Sequence, residues 1–276
     1  MYMNKPKVVL VTGASAGIGK ATVELLLREG FVVYGAARRV EQMKDIESKG
    51  ARIIAMDVTD DVSMIHGVNQ IMKEQGRIDV LFNNAGYGSY GSVEDVPLEE
   101  ARRQFEVNLF GLSRLTQLVL PVMRQQKSGK IINTSSAGGK VYTLLGAWYH
   151  AAKHALEGFS DCLRLEVKPF GIDVIIIEPG ATESEWSKIV FQHVQKTSGN
   201  TAYSKIANAF IKTFEKLEKS STVYPPDRVA RLVSEAIRSK KPKTRYVAGN
   251  ARPVLFMRKV LSDKMFDRIL NRTFGI

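Results

Sequence analysis

The sequence predicts an α/β protein built on a doubly wound parallel sheet, and three observations carry that prediction. Short apolar runs rich in valine and isoleucine alternate with helical patterns along the whole chain, the signature of repeated strand–helix–strand units. The runs are apolar throughout, without an alternating polar face, as strands covered on both sides require. A turn carrying Gly13, Gly17 and Gly19 stands between the first run and its helix, where a doubly wound sheet opens its ligand crevice.

Each element follows in order. Residues 7–13, KVVLVTG, lie between Pro6 and a glycine and read as the first strand. Residues 18–29 place Ile18, Ala21, Thr22, Leu25 and Leu26 at helical spacing. Strands are expected at 31–38 and 51–58, with a helix at 40–48 between them. Residues 60–75 form a helix with Val62, Ile65, Val68, Ile71 and Met72 on one side. Residues 77–86 give a fourth strand running into a glycine-bearing loop. Pro97, at a favoured first-turn position, opens a long helix to about residue 126. A strand at 130–136, a helix at 148–167 and a strand at 171–180 follow. Residues 184–222 are mostly helical and polar-basic, 226–239 helical, and 244–249 the last strand. Right-handed crossovers put helices on both faces of about seven strands. No Gly-, Ser- or Pro-rich linker and no internal repeat interrupts the chain, so residues 1–276 read as one domain. Within it, about 183–225 forms a lid and about 250–276 a C-terminal extension.

Composition narrows the setting. The chain has 276 residues, 44% hydrophobic and 25% charged, which is ordinary for a globular protein. A single cysteine, Cys162, rules out an intrachain disulfide. No apolar run approaches a membrane span, and the N-terminus passes directly from two lysines into a strand pattern, so a cytoplasmic protein is expected. The net charge is +12, yet residues 187–276 hold 19 Lys+Arg against 6 Asp+Glu, while the remainder holds 21 against 22. The basic residues are spread singly, without nucleic-acid motifs or aromatic platforms beside them, so no nucleic-acid partner is expected. A solvated basic surface, a membrane surface and an anionic substrate all fit.

The glycines have a physical use. A helix N-terminus offers free N–H groups and a positive dipole end to phosphate. Side chains at Gly13, Gly17 and Gly19 would hold the backbone away from a pyrophosphate. A P-loop is excluded, because Ala14 stands where its first glycine belongs and Ala21 follows Lys20. A dinucleotide remains. NAD binding calls for an acidic residue about 20 positions further on, but this region reads Gly35-Ala36-Ala37-Arg38-Arg39. Two guanidinium forks suit a 2′-phosphate, so NADP(H) is expected, held by Arg38 and Arg39.

Tyr149 and Lys153 are four apart in a helical stretch and share a face. A phenol titrates near ~10, and a neighbouring ammonium would lower that value toward neutrality. In order along the chain stand TGASAGIG (12–19), NNAG (83–86), VNLFG with Asn108, NTSS ending in Ser136, YHAAK (149–153) and EPGAT (178–182). Together these resemble the compact branch of the short-chain dehydrogenases/reductases, across residues 5 to about 182. Within the family the chain is most similar to members like 17β-hydroxysteroid dehydrogenases, retinol dehydrogenases and acyl-dihydroxyacetone-phosphate reductases.

The resemblance implies a Rossmann fold and a catalytic set of Asn108, Ser136, Tyr149 and Lys153. Tyr149 would act as acid/base, Lys153 would lower its pKa and reach the nicotinamide ribose, Ser136 would hold the substrate oxygen, and Asn108 would support a relay water. Ser136 is preferred to Ser135, which strand alternation turns the other way. Cofactor contacts implied by the match are Gly13, Ser15, Gly17, Ile18 and Gly19 at the phosphates, with Asp57 and Val58 at the adenine. Asn84, Ala85 and Gly86 would line the adenosine ribose, and Pro179, Gly180 and Thr182 the nicotinamide. A homodimer or homotetramer through the Asn108 and Tyr149 helices is likewise implied.

His150 and His154 have metal-binding spacing, but no acidic third ligand accompanies them and no metal is expected. The lid mixes large apolar residues with lysines, which suits a hydrophobic small-molecule substrate such as a steroid, retinoid or acyl ketone. The tail from 254 to 276 alternates apolar pairs with Arg and Lys. It would cap the cleft, pack on another subunit, or contact a membrane surface peripherally. The expected function is therefore an NADP(H)-dependent carbonyl/alcohol oxidoreductase; the alternative is a non-catalytic NADP(H) sensor on the same fold.

Overall fold

A computed structural model describes residues 5–183, 185–219, 223–249 and 251–276. The ends of the expected 184–222 helical stretch, the first four residues and Asn250 lie outside the described residues.

Seven strands form one sheet in the order β3-β2-β1-β4-β5-β6-β7. They are β1 (Val8–Thr12), β2 (Val32–Ala37), β3 (Arg52–Ala55), β4 (Val80–Asn83), β5 (Gly129–Thr134), β6 (Ile172–Pro179) and β7 (Arg245–Ala248). Every neighbouring pair is parallel. The uninterrupted apolar character of β1 now has its reason. Val9 and Val11 enter the core shared with α1 (Gly17–Arg28) and α9 (Pro226–Arg238). Val8 and Leu10 enter the opposite core, with α3 (Asp61–Gln75), α5 (Leu112–Gln126) and α6 (Ala147–Val167). Alternate residues thus face two different interiors, and neither face tolerates a polar side chain. The short α2 (Lys44–Glu47) covers the first face after a 3₁₀ turn at Val40–Met43, where a longer helix was expected.

Strand order reverses between β1 and β4, the place where a doubly wound sheet leaves a crevice beyond the strand ends. The glycine turn and residues 84–90 meet there.

The long helix expected from Pro97 is instead two α-helices with a π-turn between them. These are α4 (Leu98–Phe105) and α5, joined by Glu106–Gly111. Pro97 itself is the N-cap, in extended backbone, rather than the first helical residue. The π-turn inserts a residue into the helix. It also brings Gly111 so close to β3's continuation that a Cβ there would lie 2.2 Å from the Val58 carbonyl oxygen. Pro121 is accommodated inside α5.

Two lid helices, α7 (Trp186–Ser198) and α8 (Ser204–Glu218), carry a third apolar cluster above the sheet's carboxyl end. The tail folds into α10 (Ala251–Val260) and α11 (Asp263–Phe274). Phe274 and Leu270 of α11 join the lid cluster, with Phe274 stacked on Phe210 at 5.8 Å. The extension therefore caps the lid. No helix among the described residues is long and apolar enough to cross a membrane.

Candidate active site

The glycine turn is shaped by contact. Gly13 has φ +67° and Gly17 φ +52°, a region that favours glycine. A Cβ on Gly19 would lie 2.2 Å from the Gly13 carbonyl oxygen, so any side chain there must displace backbone. Helix α1 has Ala16 as its N-cap, with no side-chain cap and no acidic residue in its first turn. Its first N–H groups and positive dipole end therefore face no competing carboxylate from their own helix. Ser15, Gly17 and Ile18 stand at this rim, all half-buried.

Asn84 and Ala85 brace that turn. The Asn84 carboxamide donates to the Thr12 carbonyl at 3.1 Å and to the Gly13 carbonyl at 3.4 Å. The backbone N–H groups of Asn84 and Ala85 both donate to Thr12 Oγ1, each at 3.0 Å. Their polar groups thus fasten β4 to β1, a structural use that the match to a ribose contact did not include. Gly86 is exposed; a Cβ there would meet Asn108 Oδ1 at 3.0 Å and Lys153 Nζ at 3.8 Å.

The exposed Arg38 and Arg39 follow β2 at the outer edge of the crevice. Arg38 reaches Asp57 at 3.9 Å. Burial pushes the Asp57 carboxyl up, but two hydrogen bonds from Thr59 and the Arg38 and Arg103 charges together hold it below the usual carboxylate range. Arg39 spans the mouth, bonding Ser15 Oγ at 3.4 Å and Glu185 Oε2 at 3.2 Å.

Asn108 lies inside the π-turn, fully buried. Its amide donates to the Tyr87 carbonyl at 2.8 Å and its oxygen accepts from Tyr87 N–H at 3.1 Å. A regular helix would rotate this side chain away; the inserted residue aims it at the 86–88 loop.

Ser136, just past the end of β5, caps a 3₁₀ turn at Ala137–Gly139, accepting from Gly138 N–H at 3.0 Å. The same hydroxyl stands beside the Tyr149 phenol and acts to lower its pKa. Ser135 points the other way, its buried Oγ without a hydrogen-bond partner. Lys153, one turn along α6 from Tyr149, donates its Nζ to the Thr134 carbonyl at 2.8 Å. Asn108, Ser136, Tyr149 and Lys153, dispersed over 46 residues of sequence, therefore converge at the ends of β4 and β5.

The electrostatics differ from the expectation in one respect. Burial pushes the Tyr149 phenol up to about 12, and the Ser136 hydroxyl lowers it only in part. Lys153 is pushed down to about 8 by burial, against the opposing pull of Glu157. Desolvation dominates because Tyr149 lies beneath an aromatic cover. Tyr90 and Trp186 pack on its ring at 5.5 and 5.6 Å. At neutral pH the phenol keeps its proton and the lysine its charge.

The sequence reading missed this cover. Tyr90, Trp186, Leu144 and Leu145 surround Tyr149 with Val190 and Phe210. Leu145 holds a left-handed φ of +60°, a strained backbone of the kind found at functional sites. Also missed was a buried charge cluster beneath Lys153. Arg245 from β7 bonds Glu157 at 2.9 Å and Asp161 at 2.7 Å on α6, and its Nε lies 3.3 Å from Glu178 on β6. Glu178 lies near the end of β6, two residues before Gly180, whose N–H donates to the Ala248 carbonyl at 3.0 Å. Thr182 Oγ1 donates to the Gly180 carbonyl at 3.2 Å. Burial and Glu157 raise the Glu178 carboxyl to about 7 despite Arg245 and Lys140. Position in sequence gave no hint of a cluster drawn from three elements.

Both ring nitrogens of His150 have partners, Gly138 O at 2.9 Å and Thr143 Oγ1 at 3.0 Å, and His154 Nδ1 meets the His150 carbonyl at 2.8 Å. These histidines are packing and loop-fixing residues.

The short chain dehydrogenase family model matches residues 7–195. The chain belongs to the short-chain dehydrogenase/reductase family. This dehydrogenase/reductase is 36% identical over 276 residues to the 3-ketodihydrosphingosine reductase of Bacteroides thetaiotaomicron, covering 99% of both chains. It is 36% identical to the NADPH-dependent 3-dehydrocapnine reductase of Ornithobacterium rhinotracheale, over 96% of this chain and 95% of that one. A crystal structure of a short-chain dehydrogenase from Streptomyces avermitilis matches with a TM-score of 0.83 and 33% identity, covering 97% of this chain and 96% of that one. An oxidoreductase fold and family are thereby fixed for the chain.

Proposed function

We propose that this dehydrogenase/reductase reduces the carbonyl of a long-chain, lipid-like ketone with NADPH. The observation that carries the reading is the Tyr149 phenol, buried under an aromatic and aliphatic cover with the half-buried Ser136 hydroxyl beside it. The relatives named as reductases of 3-ketodihydrosphingosine and 3-dehydrocapnine agree with it.

The residues at the crevice fit a dinucleotide. The Gly13–Gly19 turn and the uncapped start of α1 would hold the pyrophosphate. Arg38 and Arg39, on the exposed rim, would hold a 2′-phosphate, and Arg39 would leave Glu185 to do so. Lys153 would hold the nicotinamide ribose, and Pro179, Gly180 and Thr182 the carboxamide. When bound, the reduced nicotinamide supplies a hydride. The work left to the chain is to protonate and orient the carbonyl oxygen. Ser136 donates a hydrogen bond to it, and Tyr149 delivers its proton as negative charge develops. Lys153, cationic below about 8, stabilises the phenolate that Tyr149 becomes. Asn108 positions the 86–88 loop beside Lys153 and would support the relay water. The aromatic cover excludes bulk water and accepts an alkyl chain.

Assembly is part of the same reading. Leu98 and Phe110 are exposed on α4 and the π-turn, beside a hollow of about 190 Å³ that Phe105 and Trp148 also line. We propose that this face pairs with a second copy, as a dimer or tetramer.

The test is a panel of 3-ketones and 2-amino-3-ketones of rising chain length, assayed with NADPH and NADH. Turnover that rises with chain length and prefers NADPH supports the proposal. A binding protein without turnover, or equal use of both nicotinamides, defeats it.

A further inference from the structure

We propose that the outer faces of α10 and α11 form a docking surface for an anionic lipid bilayer. The inner faces are occupied. Ala251 and Phe266 are buried, Leu270 and Phe274 enter the lid cluster, and Arg258 lies over the rings of Tyr142 and Phe266. What remains outward is unusual in composition. Of the twelve exposed large apolar side chains among the described residues, five lie in this last segment: Phe256, Val260, Met265, Ile269 and Ile276. Phe256 and Val260 are one turn apart on α10, and Met265 and Ile269 one turn apart on α11. They form two apolar ridges that the fold leaves in water.

Charge identifies the partner. Residues 251–276 carry six Lys+Arg and two Asp+Glu. Both acids are already engaged, Asp263 with Arg258 at 2.8 Å and Asp267 with the Tyr142 hydroxyl at 2.8 Å. Among the described residues, Lys259, Lys264, Arg268 and Arg272 have no ion-pair partner and are exposed. The surface therefore presents apolar ridges bordered by free cations. A second copy of the same face would bring like charges together. Nucleic acid would use the cations but leave Phe256, Val260, Met265 and Ile269 wet. A bilayer with acidic headgroups satisfies both, with apolar residues entering the headgroup boundary and lysines and arginines meeting phosphate.

The placement also suits access. The helix that would touch the bilayer packs through Phe274 directly on Phe210, which packs on Tyr90 at 5.5 Å and so reaches the Tyr149 cover. The lid would open at the membrane face, where a lipid-like molecule resides.

The experiment is flotation of the full chain with vesicles of phosphatidylcholine alone or with about one third phosphatidylserine. Binding is expected to the acidic vesicles, at least tenfold above neutral ones, and to weaken as salt rises from about 0.05 to about 0.5 M. The triple variant Phe256→Ser/Met265→Ser/Ile269→Ser and the charge variant Lys264→Glu/Arg268→Glu should each lose at least tenfold, with unchanged circular dichroism. If either variant fails to fold, hydrogen exchange on the wild-type chain decides: acidic vesicles should protect 251–276. A chain that stays unbound at low salt, or shows no protection there, overturns the inference. So does a serine variant that alters only oligomeric mass by light scattering, which would make the ridges a contact between copies. A failed flotation leaves the reductase reading untouched, because that rests on ketone turnover.

Discussion

The two ends of the candidate site are built on opposite principles. At the glycine turn the chain removes side chains, leaving backbone amides, an uncapped helix start and two exposed arginines. Around Tyr149 it adds them, until the phenol is only 7% exposed beneath Tyr90 and Trp186. The contrast teaches what the proposed reaction would ask of one crevice: two kinds of surface. Phosphate is strongly hydrated and is best met by preformed N–H groups and guanidinium forks. An alkyl ketone needs a dry wall, and developing charge is best stabilised where water is excluded.

Five exchanges would break or sharpen this contrast. The largest effect should come at the dry end. Tyr149→Phe keeps the aromatic packing and removes the proton donor, so ketone reduction should fall by roughly 10²–10⁴-fold. NADPH binding, followed by fluorescence, should be nearly unchanged; coupled loss of both would mean that the ends are not separable.

Next is the bare end. Gly19→Ala places a methyl against the Gly13 carbonyl. It should cost about 1–3 kcal/mol in chemical denaturation and weaken cofactor binding more than any substitution in the lid. Arg38→Ser with Arg39→Ser should raise the KM for NADPH by roughly 10- to 100-fold, the loss of charge-assisted bonds, and leave NADH use intact.

The fourth prediction concerns the charges that lie between the two ends. The Glu178 carboxyl is raised to about 7 from an ordinary 4.5. The folded state therefore holds that proton when the unfolded chain has released it. Stability from this group is complete below about 4.5 and is lost as pH rises through about 7. Glu178→Gln should flatten that loss by up to roughly 3 kcal/mol, measured as thermal midpoints from pH 5 to 8. An unchanged slope would place the proton on another group. The smallest effect is expected at the seam. Glu185→Gln frees Arg39 from an exposed ion pair of modest worth, and should tighten NADPH by about 2- to 5-fold.

Much of this was legible beforehand because it is local. Apolar runs without polar alternation announced strands covered on both faces, and Val8–Leu10 against Val9–Val11 shows why neither side could be polar. Gly13, Gly17 and Gly19 could be read because three absent side chains in seven residues between a strand and a helix point to a tight turn or a close backbone approach. Tyr149 and Lys153 were legible because helical spacing fixes them on one face. The π-turn was not, since it goes with the close packing of Gly111 on the Val58 carbonyl, a contact between residues 53 positions apart. The Tyr149 phenol was expected to fall toward neutrality and instead rises, because its burial comes from Tyr90 and Trp186, at distances no spacing rule encodes.

The sequence alone determined the strand–helix alternation, the bare turn, the two arginines and the residue types at the reaction centre, since each is written within a few consecutive positions. The tertiary structure alone decided which of those groups are dry, which carboxyl is pushed up toward neutrality, and which face of the tail remains in water. Those properties depend on what else occupies the neighbouring volume. Desolvation is set by the whole surroundings of a group, and no local pattern contains them.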